Sequence, residues 1–154
     1  MKILITGGAG YIGSFMVKAS LDKGYEVTVV DNLERGNKET IDSRATLVVG
    51  DLKSKDFVAS VFSEHKFDAV VHFAGYISMG ESVTNPYIYF DNNVNASLNL
   101  IESMVKNKIN NFIFSSTAGV YGNPIKTPIA EDHPKNPTNP YGESKLMVEK
   151  ILSW

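Results

Sequence analysis

The chain has 154 residues, of which 43% are hydrophobic and 21% charged, and its formal net charge at pH 7 is −2. This composition is typical of one globular domain with a sizeable core. The small net charge disfavours nucleic acid or an anionic membrane surface as a partner, and no apolar run approaches the ~18 residues of a membrane span. The absence of cysteine excludes disulfides, thiolate nucleophiles and thiolate zinc sites. We expect a cytoplasmic protein, because the first apolar run is too short for a signal peptide.

Apolar segments of strand length alternate with segments of helix length. Five strands are predicted, at Lys2–Thr6, Glu26–Val30, Thr46–Val49, Asp68–Phe73 and Asn111–Ser115. Four helices are predicted, at Tyr11–Lys23, Ser54–Glu64, Pro86–Asn107 and Asn139–Leu152. Ser54 and Asn139 are expected to be N-caps, and Gly24 is expected to stop the first helix. Residues 116–139, which are rich in proline, are predicted to form a loop.

The alternation of strands and helices carries no hairpin signal. The strands are apolar throughout instead of alternating with polar residues, which is typical of strands buried on both faces. The sequence therefore predicts the α/β class: a doubly wound parallel sheet of the Rossmann type in three α/β/α layers.

The stretch GGAGYIG, residues 7–13, lies between the first predicted strand and the first predicted helix. Its glycines Gly7, Gly10 and Gly13 have the roles of a dinucleotide-binding turn: a tight turn, close approach of backbone to a pyrophosphate, and close packing of helix on strand. The helix N-terminus then offers free N–H groups to the phosphates. Tight turns also use glycine for structure alone, so the motif gains its weight from the flanking elements.

Acidic residues follow two further strands. Asp31 ends the second strand, where a carboxylate would bind the hydroxyls of the adenine ribose, and an acid there favours NAD over NADP. Asp51, in Gly50-Asp51-Leu52, follows the third strand and could accept a hydrogen bond from the adenine amino group. For both acids a purely structural role, in a turn or at a helix entry, stays open.

Candidate reactive groups lie late in the chain. Tyr141 and Lys145, in YGESK, are spaced i, i+4 and share one helix face. A nearby ammonium favours the phenolate and so lowers the pKa of a tyrosine from its reference value of about 10. Outside a dinucleotide fold this spacing is usually a surface pair. Ser115-Ser116-Thr117 ends the fifth strand, where a hydroxyl could bind a substrate alcohol or cap the loop.

The remaining polar residues carry weaker signals. His65, His72 and His133 have no metal-ligand spacing, so no metal site is predicted, and His72 is expected to be a satisfied core residue. The polar run at residues 91–99 fits a solvated helix face or a face toward a cofactor, and Asn92 is predicted to contact that cofactor.

Together these motifs resemble the extended short-chain dehydrogenase/reductase family and, within it, the branch of UDP-glucose 4-epimerases. The motifs are GGAGYIG, DNL (31–33), GDL (50–52), HFAG (72–75), GESV (80–83), NN (92–93), FSSTAGVYG (114–122) and NPYGESK (139–145). They run in order over the whole chain. The resemblance implies NAD as cofactor and epimerisation of a UDP-hexose at C4 through a transient 4-keto intermediate.

The resemblance also implies roles for single residues. Tyr141 would take the proton from the sugar 4-hydroxyl, Thr117 would hydrogen-bond the 4-oxygen, and Lys145 would lower the tyrosine pKa and hold the nicotinamide ribose. Thr117 and Tyr141 would contact the substrate. The implied cofactor contacts are Gly7, Gly10, Tyr11, Ile12, Gly13, Asp31, Asn32, Asp51, Leu52, Phe73, Ala74, Gly75, Asn92, Ser115, Tyr141 and Lys145.

Three positions bear on the reaction. Related 4,6-dehydratases typically carry Asp-Glu where this chain has Ala118 and Gly119, and related decarboxylases often carry glutamate at the latter position. Both comparisons favour an epimerase, with a dehydratase or reductase as an alternative. The family often has lysine where this chain has Ile77, so weaker anchoring or an altered substrate choice is expected.

Family members are longer than this chain. We therefore expect residues 1–154 to be one NAD-binding domain that lacks the C-terminal part binding the UDP-sugar, with the fifth strand left at an unprotected sheet edge. Helices 86–107 and 139–152 resemble those of the family's dimer interface, so a homodimer is expected. The competing hypothesis is a non-catalytic NAD-binding module.

Overall fold

The computed structural model describes every residue from Met1 to Trp154. Its sheet has five strands: β1 (Lys2–Thr6), β2 (Glu26–Asp31), β3 (Thr46–Val49), β4 (Ala69–His72) and β5 (Phe112–Phe114). They lie in the order β3-β2-β1-β4-β5, and every neighbouring pair is parallel. The predicted strands are confirmed, with small differences at their ends.

The α-helices are α1 (Tyr11–Asp22), α2 (Lys55–Glu64), α3 (Met79–Thr84), α4 (Pro86–Phe90), α5 (Ala96–Lys106) and α6 (Pro140–Leu152). The predicted caps are confirmed: the side chains of Ser54 and Asn139 accept from the N–H groups of Phe57 and Gly142. Gly24 follows α1 with a φ of 79°, the left-handed conformation that ends helices. None of these helices combines the length and hydrophobicity that crossing a membrane requires.

Two predictions about the second half of the chain need correction. The predicted helix 86–107 is interrupted by a π turn at Asp91–Asn95, in which the Ala96 N–H donates to the Asp91 carbonyl, five residues back. The predicted loop 116–139 contains a 3₁₀ helix at Ala118–Tyr121, capped by the Thr117 side chain. A second 3₁₀ helix at Lys38–Thr40 and helix α3 were not predicted at all. Short turns such as these carry too few residues for a periodic pattern.

The strand order explains the doubly wound architecture. The chain moves outward from β1 to β2 and β3, then returns to the other side of β1 for β4 and β5. Because crossovers between parallel strands are right-handed, the connections on the two sides of β1 lie on opposite faces of the sheet. The predicted fold class is confirmed.

The core of the sheet is built from its central strands. Ile3 and Ile5 of β1 pack with Val17 of α1, Val29 of β2 and Val71 of β4. Residues 3–6 of β1 are all buried, as expected of a strand that is covered on both faces. Burial of each such aliphatic side chain contributes roughly 1.5–3 kcal/mol.

Backbone contacts divide the chain into two compact units. Unit 1 comprises residues 1–74 and 98–115 and contains all five strands. Unit 2 comprises residues 75–97 and 116–154 and contains α3, α4, the π turn and α6. Its core includes three buried tyrosines, Tyr76, Tyr89 and Tyr141, whose neighbouring rings meet edge to face.

Candidate functional site

The glycine turn of unit 1 is held by its backbone. Gly7 follows β1 with a φ of 71°, and its N–H donates to the Val30 carbonyl at 2.9 Å. A Cβ on Gly7 would lie 2.8 Å from the Cα of Ala74, and a Cβ on Gly13 would overlap the Gly7 carbonyl oxygen. The turn is therefore closed to any larger residue at both positions.

Helix α1 begins directly after this turn. Its N-cap is Gly10, which offers no side chain to the first N–H groups of the helix. The side chains of Tyr11 and Ile12 are 84% and 60% exposed. An open helix start with no capping side chain suits an anion, because the free N–H groups and the helix dipole both favour negative charge.

Asp31 joins the end of β2 to the glycine turn. Its carboxylate accepts hydrogen bonds from the Ala9 N–H at 3.0 Å and from the Leu33 N–H at 2.9 Å. A carboxylate has about four acceptor positions, so this structural role leaves room for further donors such as ribose hydroxyls. Asn32 beside it is exposed and accepts from the Glu34 N–H at 3.1 Å.

Asp51 shows the structural role that the sequence left open. Its carboxylate accepts from the Lys53 N–H at 2.8 Å and pairs with the Lys53 ammonium at 3.5 Å. Leu52 is buried, and its carbonyl accepts from the Asn99 side chain at 3.0 Å. These bonds fix the chain between β3 and α2, and a cofactor contact there stays a prediction.

The ends of β4 and β5 carry the other predicted cofactor residues of unit 1. The Phe73 N–H donates to the Thr6 carbonyl at 3.0 Å, so the chain continues beyond β4 beside β1. Ala74 follows Phe73, and its backbone lies against Gly7. The Ser115 N–H donates to the His72 carbonyl at 3.1 Å and extends the pairing of β5 with β4.

His72 is a core residue, as predicted. It is 1% exposed, and its ring forms a 2.5 Å hydrogen bond with the hydroxyl of Thr6, which is fully buried. Its ring also stacks on Phe112 and Phe114. His133 lies in the segment before α6, where its ring accepts from the Ile125 N–H at 3.0 Å.

In unit 2, helix α6 presents Tyr141 and Lys145 one turn apart, and both are buried, at 9% and 3% exposure. The surface-pair interpretation of this spacing is therefore wrong. Burial lowers the pKa of Lys145 to about 8, so the ammonium remains charged at neutral pH. Its Nζ lies close to Gly75, where an added Cβ would approach it to 3.3 Å. A buried ammonium one turn from a phenol is suited to favour the phenolate.

Thr117 begins the 3₁₀ helix at 118–121. Its hydroxyl accepts from the Gly119 N–H at 3.1 Å, so the loop-capping role that the sequence left open is present. The turn packs tightly on the start of α6, since a Cβ on Gly142 would lie 2.7 Å from the Gly119 carbonyl oxygen. This contact brings the Thr117 turn to the first turn of α6, next to Tyr141, while the hydroxyl proton of Thr117 stays available to a ligand.

The π turn supplies a buried amide. Asn93 is 2% exposed; its Oδ1 accepts from the Tyr76 N–H at 2.8 Å, and its Nδ2 donates to the Tyr76 carbonyl and the Ser144 hydroxyl, both at 3.0 Å. Ser144 in turn donates to the Tyr141 carbonyl at 2.7 Å. Asn92, the residue predicted from the sequence, is half-buried and donates to the Asn93 Oδ1 at 3.2 Å.

The family model described as the NAD dependent epimerase/dehydratase family matches residues 3–154. The chain belongs to this family. It is similar to the curated UDP-glucose 4-epimerase of Lacticaseibacillus casei, with 47% identity over 154 residues, 100% of this chain and 46% of the relative. The chain therefore spans about half the length of the curated relatives it matches.

Solved structures agree with this assignment. A crystal structure of UDP-glucose 4-epimerase is similar with a TM-score of 0.98 and 47% identity, covering 100% of this chain and 47% of that one. The UDP-glucose 4-epimerase of Bifidobacterium longum, solved in complex with NAD+ and UDP, gives a TM-score of 0.94 and 39% identity, over 99% of this chain and 48% of that one.

Membership of the NAD dependent epimerase/dehydratase family confirms the resemblance drawn from the motifs and, at the level of the family, the expectation of NAD. The donor set of unit 1 fits that cofactor: an uncapped helix start for a pyrophosphate and a carboxylate with spare acceptor positions for a ribose. The sequence reasoning missed Asn93, which differs from its neighbour Asn92 in its burial and in its hydrogen bonds to Tyr76 and Ser144. No sequence signal separates the two.

Proposed function

We propose that this chain binds NAD and carries the proton-transfer residues of a UDP-hexose 4-epimerase. The observation that carries the proposal is the start of α6: a buried tyrosine, a buried lysine one turn later and a threonine-capped turn packed on the same helix end. The similarity to UDP-glucose 4-epimerases supports the same reaction class.

The proposed cofactor contacts in unit 1 are the glycine turn, the start of α1 and the acid at the end of β2. Those in unit 2 are Gly75, Asn92, Tyr141 and Lys145. When bound, NAD would supply a reversible hydride acceptor for C4 of the sugar. Asp31 accepts from the adenine ribose hydroxyls, a role that its two unused lone-pair positions allow.

The chain's own residues supply the acid–base chemistry. Tyr141 accepts the proton of the sugar 4-hydroxyl and gives it back after the 4-keto sugar has turned. Lys145 keeps its charge below pH 8 and stabilises the phenolate through that charge. Thr117 donates its hydroxyl proton to the sugar 4-oxygen, while its own oxygen accepts from the Gly119 N–H through one of its two lone pairs.

Tyr141→Phe tests the catalytic part of the proposal. The change keeps the ring that packs against Tyr89 and removes only the hydroxyl. We expect turnover of UDP-galactose to UDP-glucose to fall by about two to four orders of magnitude, the scale on which general acid–base groups act. The affinity for NAD, measured by calorimetry against NADP, should change little. Full turnover in Tyr141→Phe would remove this residue as the base.

A non-catalytic NAD-binding role is the second candidate, since the residues that would read the sugar are not identified among these 154. Saturable NAD binding by the purified chain together with absent turnover would favour it. A 4,6-dehydratase is disfavoured by Ala118 and Gly119, where the acids expected for eliminating water are missing.

We further propose a homodimer in the cytoplasm. Leu98 and Val105 on α5 and Met147 on α6 expose apolar side chains on the two helices that resemble the family's dimer helices. A clean monomer in a measurement of mass in solution would contradict the dimer.

A further inference from the structure

Glu149 continues the line of functional residues along α6. It follows Tyr141 and Lys145 at the same i, i+4, i+8 spacing, so the three side chains share one side of the helix. Unlike the other two, it has no role in the proposed proton transfer. Its side chain is 23% exposed.

The two oxygens of the Glu149 carboxylate have different partners. Oε1 accepts from the Ser116 hydroxyl at 2.5 Å, and Oε2 pairs with the Lys135 ammonium at 2.5 Å. Ser116 and Lys135 lie near opposite ends of the segment that joins β5 to α6. One carboxylate therefore ties both ends of this segment to the helix.

The carboxylate is ionised in this arrangement. Partial burial raises the pKa of Glu149, but the bonds from Lys135 and Ser116 outweigh burial and hold the pKa below its usual value. The same contact raises the pKa of Lys135. The bond from Ser116 is thus a charge-assisted hydrogen bond, which is shorter and stronger than a neutral one.

Ser116 is the residue directly before Thr117. The Thr117 turn is held on its far side by the contact of Gly119 with Gly142 at the start of α6. The Ser116 bond holds it on its near side, two turns further along the same helix. Contacts on both sides of Thr117 therefore hold it against α6, the helix that carries Tyr141.

We propose that Glu149 is a positioning residue, which holds the Thr117 hydroxyl in register with the Tyr141 phenol through Ser116. This inference rests on the proposed epimerase function, because it assigns Thr117 to the sugar 4-oxygen. A half-exposed ion pair such as Lys135–Glu149 adds at most about 1 kcal/mol to stability. A role confined to stability therefore predicts small effects on turnover, whereas misplacing a catalytic group by about 1 Å can cost roughly 100-fold.

The test compares Glu149→Met, Ser116→Ala, Ser116→Thr and Lys135→Met in the purified protein with NAD. Methionine keeps the length and helix propensity of glutamate but removes the acceptor. We expect kcat for UDP-galactose to fall about 10- to 100-fold in Glu149→Met and in Ser116→Ala. The kcat of the double variant should be no lower than that of the less active single variant, because both changes remove the same bond. Ser116→Thr keeps the hydroxyl and should therefore keep most of the wild-type kcat.

Three further readouts separate positioning from stability. The NAD dissociation constant should stay within about threefold in every variant, because the carboxylate lies outside the proposed cofactor contacts. Lys135→Met should leave kcat near the wild-type value at pH 8. It should also move the acid limb of the plot of kcat against pH to higher pH, because the pKa of Glu149 rises without its ammonium partner. Glu102→Gln is the matched control. It removes a carboxylate of α5 that bridges Lys55 of α2 and Lys106 of α5, and its turnover should be unchanged.

Several outcomes would overturn the inference. Wild-type kcat in Glu149→Met or Ser116→Ala would show that the Ser116 bond does not position Thr117. Additive losses in the double variant, or equal losses in Glu102→Gln, would reduce the contact to general stability. Absence of turnover in the wild-type protein itself would contradict the proposed function and this inference together, whereas a turning-over wild type with an unaffected Glu149→Met contradicts the inference alone.

Discussion

The two units build their candidate sites in different ways. In unit 1 the glycine turn is made by close backbone approaches, and Asp31 bonds only to backbone N–H groups. In unit 2 the surroundings of Tyr141 are made by side chains that reach across long stretches of sequence, such as Asn93 to Ser144 and Ser116 to Glu149. Unit 1 therefore depends on the absence of side chains at a few positions, and unit 2 on the presence of particular ones.

The largest expected effect breaks the backbone site. Gly13→Ala places a methyl group on the Gly7 carbonyl oxygen, with the Gly8 Cα only 2.9 Å away, and backbone cannot yield as a side chain can. We expect calorimetry to detect no NAD binding and unfolding to occur at lower temperature.

The matched control for this change is Gly80→Ala. Gly80 lies in α3, and nothing lies within 4 Å of an added Cβ. Alanine also has the higher helix propensity, so this variant should bind NAD normally and be as stable as the wild type or more so. Normal binding in Gly13→Ala would show that the turn is less rigid than its contacts indicate.

The next effect tests the side-chain network. Asn93→Ala removes four hydrogen bonds and leaves the buried N–H and carbonyl of Tyr76 without that partner. At about 1–3 kcal/mol for each buried group left unsatisfied, we expect a loss of roughly 4 kcal/mol in the free energy of unfolding by urea. Asn95→Ala removes an amide of the same π turn that is exposed and bonds only Asp91, and it should cost far less. Equal losses in the two variants would contradict a special role for the buried amide.

The smallest expected effect is a pH dependence of the free energy of unfolding, which we assign to a buried lysine of unit 2. The pKa of Lys145 is about 8 in the folded chain and 10.5 in a model peptide, because burial disfavours the charged form. Between these values the unfolded chain holds more protons, so stability rises with pH. The destabilisation is fully present below pH 8, on the order of 3 kcal/mol, and is relieved as pH approaches 10.5.

Lys145→Met provides the comparison for this prediction. The difference in unfolding free energy between variant and wild type should favour the variant at pH 7 and shrink toward pH 10.5. Parallel stability curves for the two proteins across this range would show that the lysine is not desolvated.

What the sequence predicts well follows the same division. The strands, the caps of α2 and α6 and the glycine turn depend on neighbours within a few residues, and all of them are confirmed. The burial of Tyr141 and Lys145, the amide of Asn93 and the carboxylate of Glu149 depend on partners that are far away in the sequence. Ser144 is 51 residues from Asn93, and Glu149 is 33 residues from Ser116. The spacing of residues along the chain does not predict hydrogen bonds between side chains so far apart in the sequence.

The π turn limits how this part of the chain can change in length. Its i→i+5 bond, from the Ala96 N–H to the Asp91 carbonyl, accommodates one residue more than an α-helical turn. Deleting any residue of 91–95 would restore α-helical spacing and rotate Tyr89 by about 100° relative to Ala96. The Tyr89 ring, which packs on Tyr141, and the Asn93 amide could then not both keep their partners. This segment should therefore accept many substitutions on its exposed side but no insertion or deletion, so its length is a stricter constraint than most of its sequence.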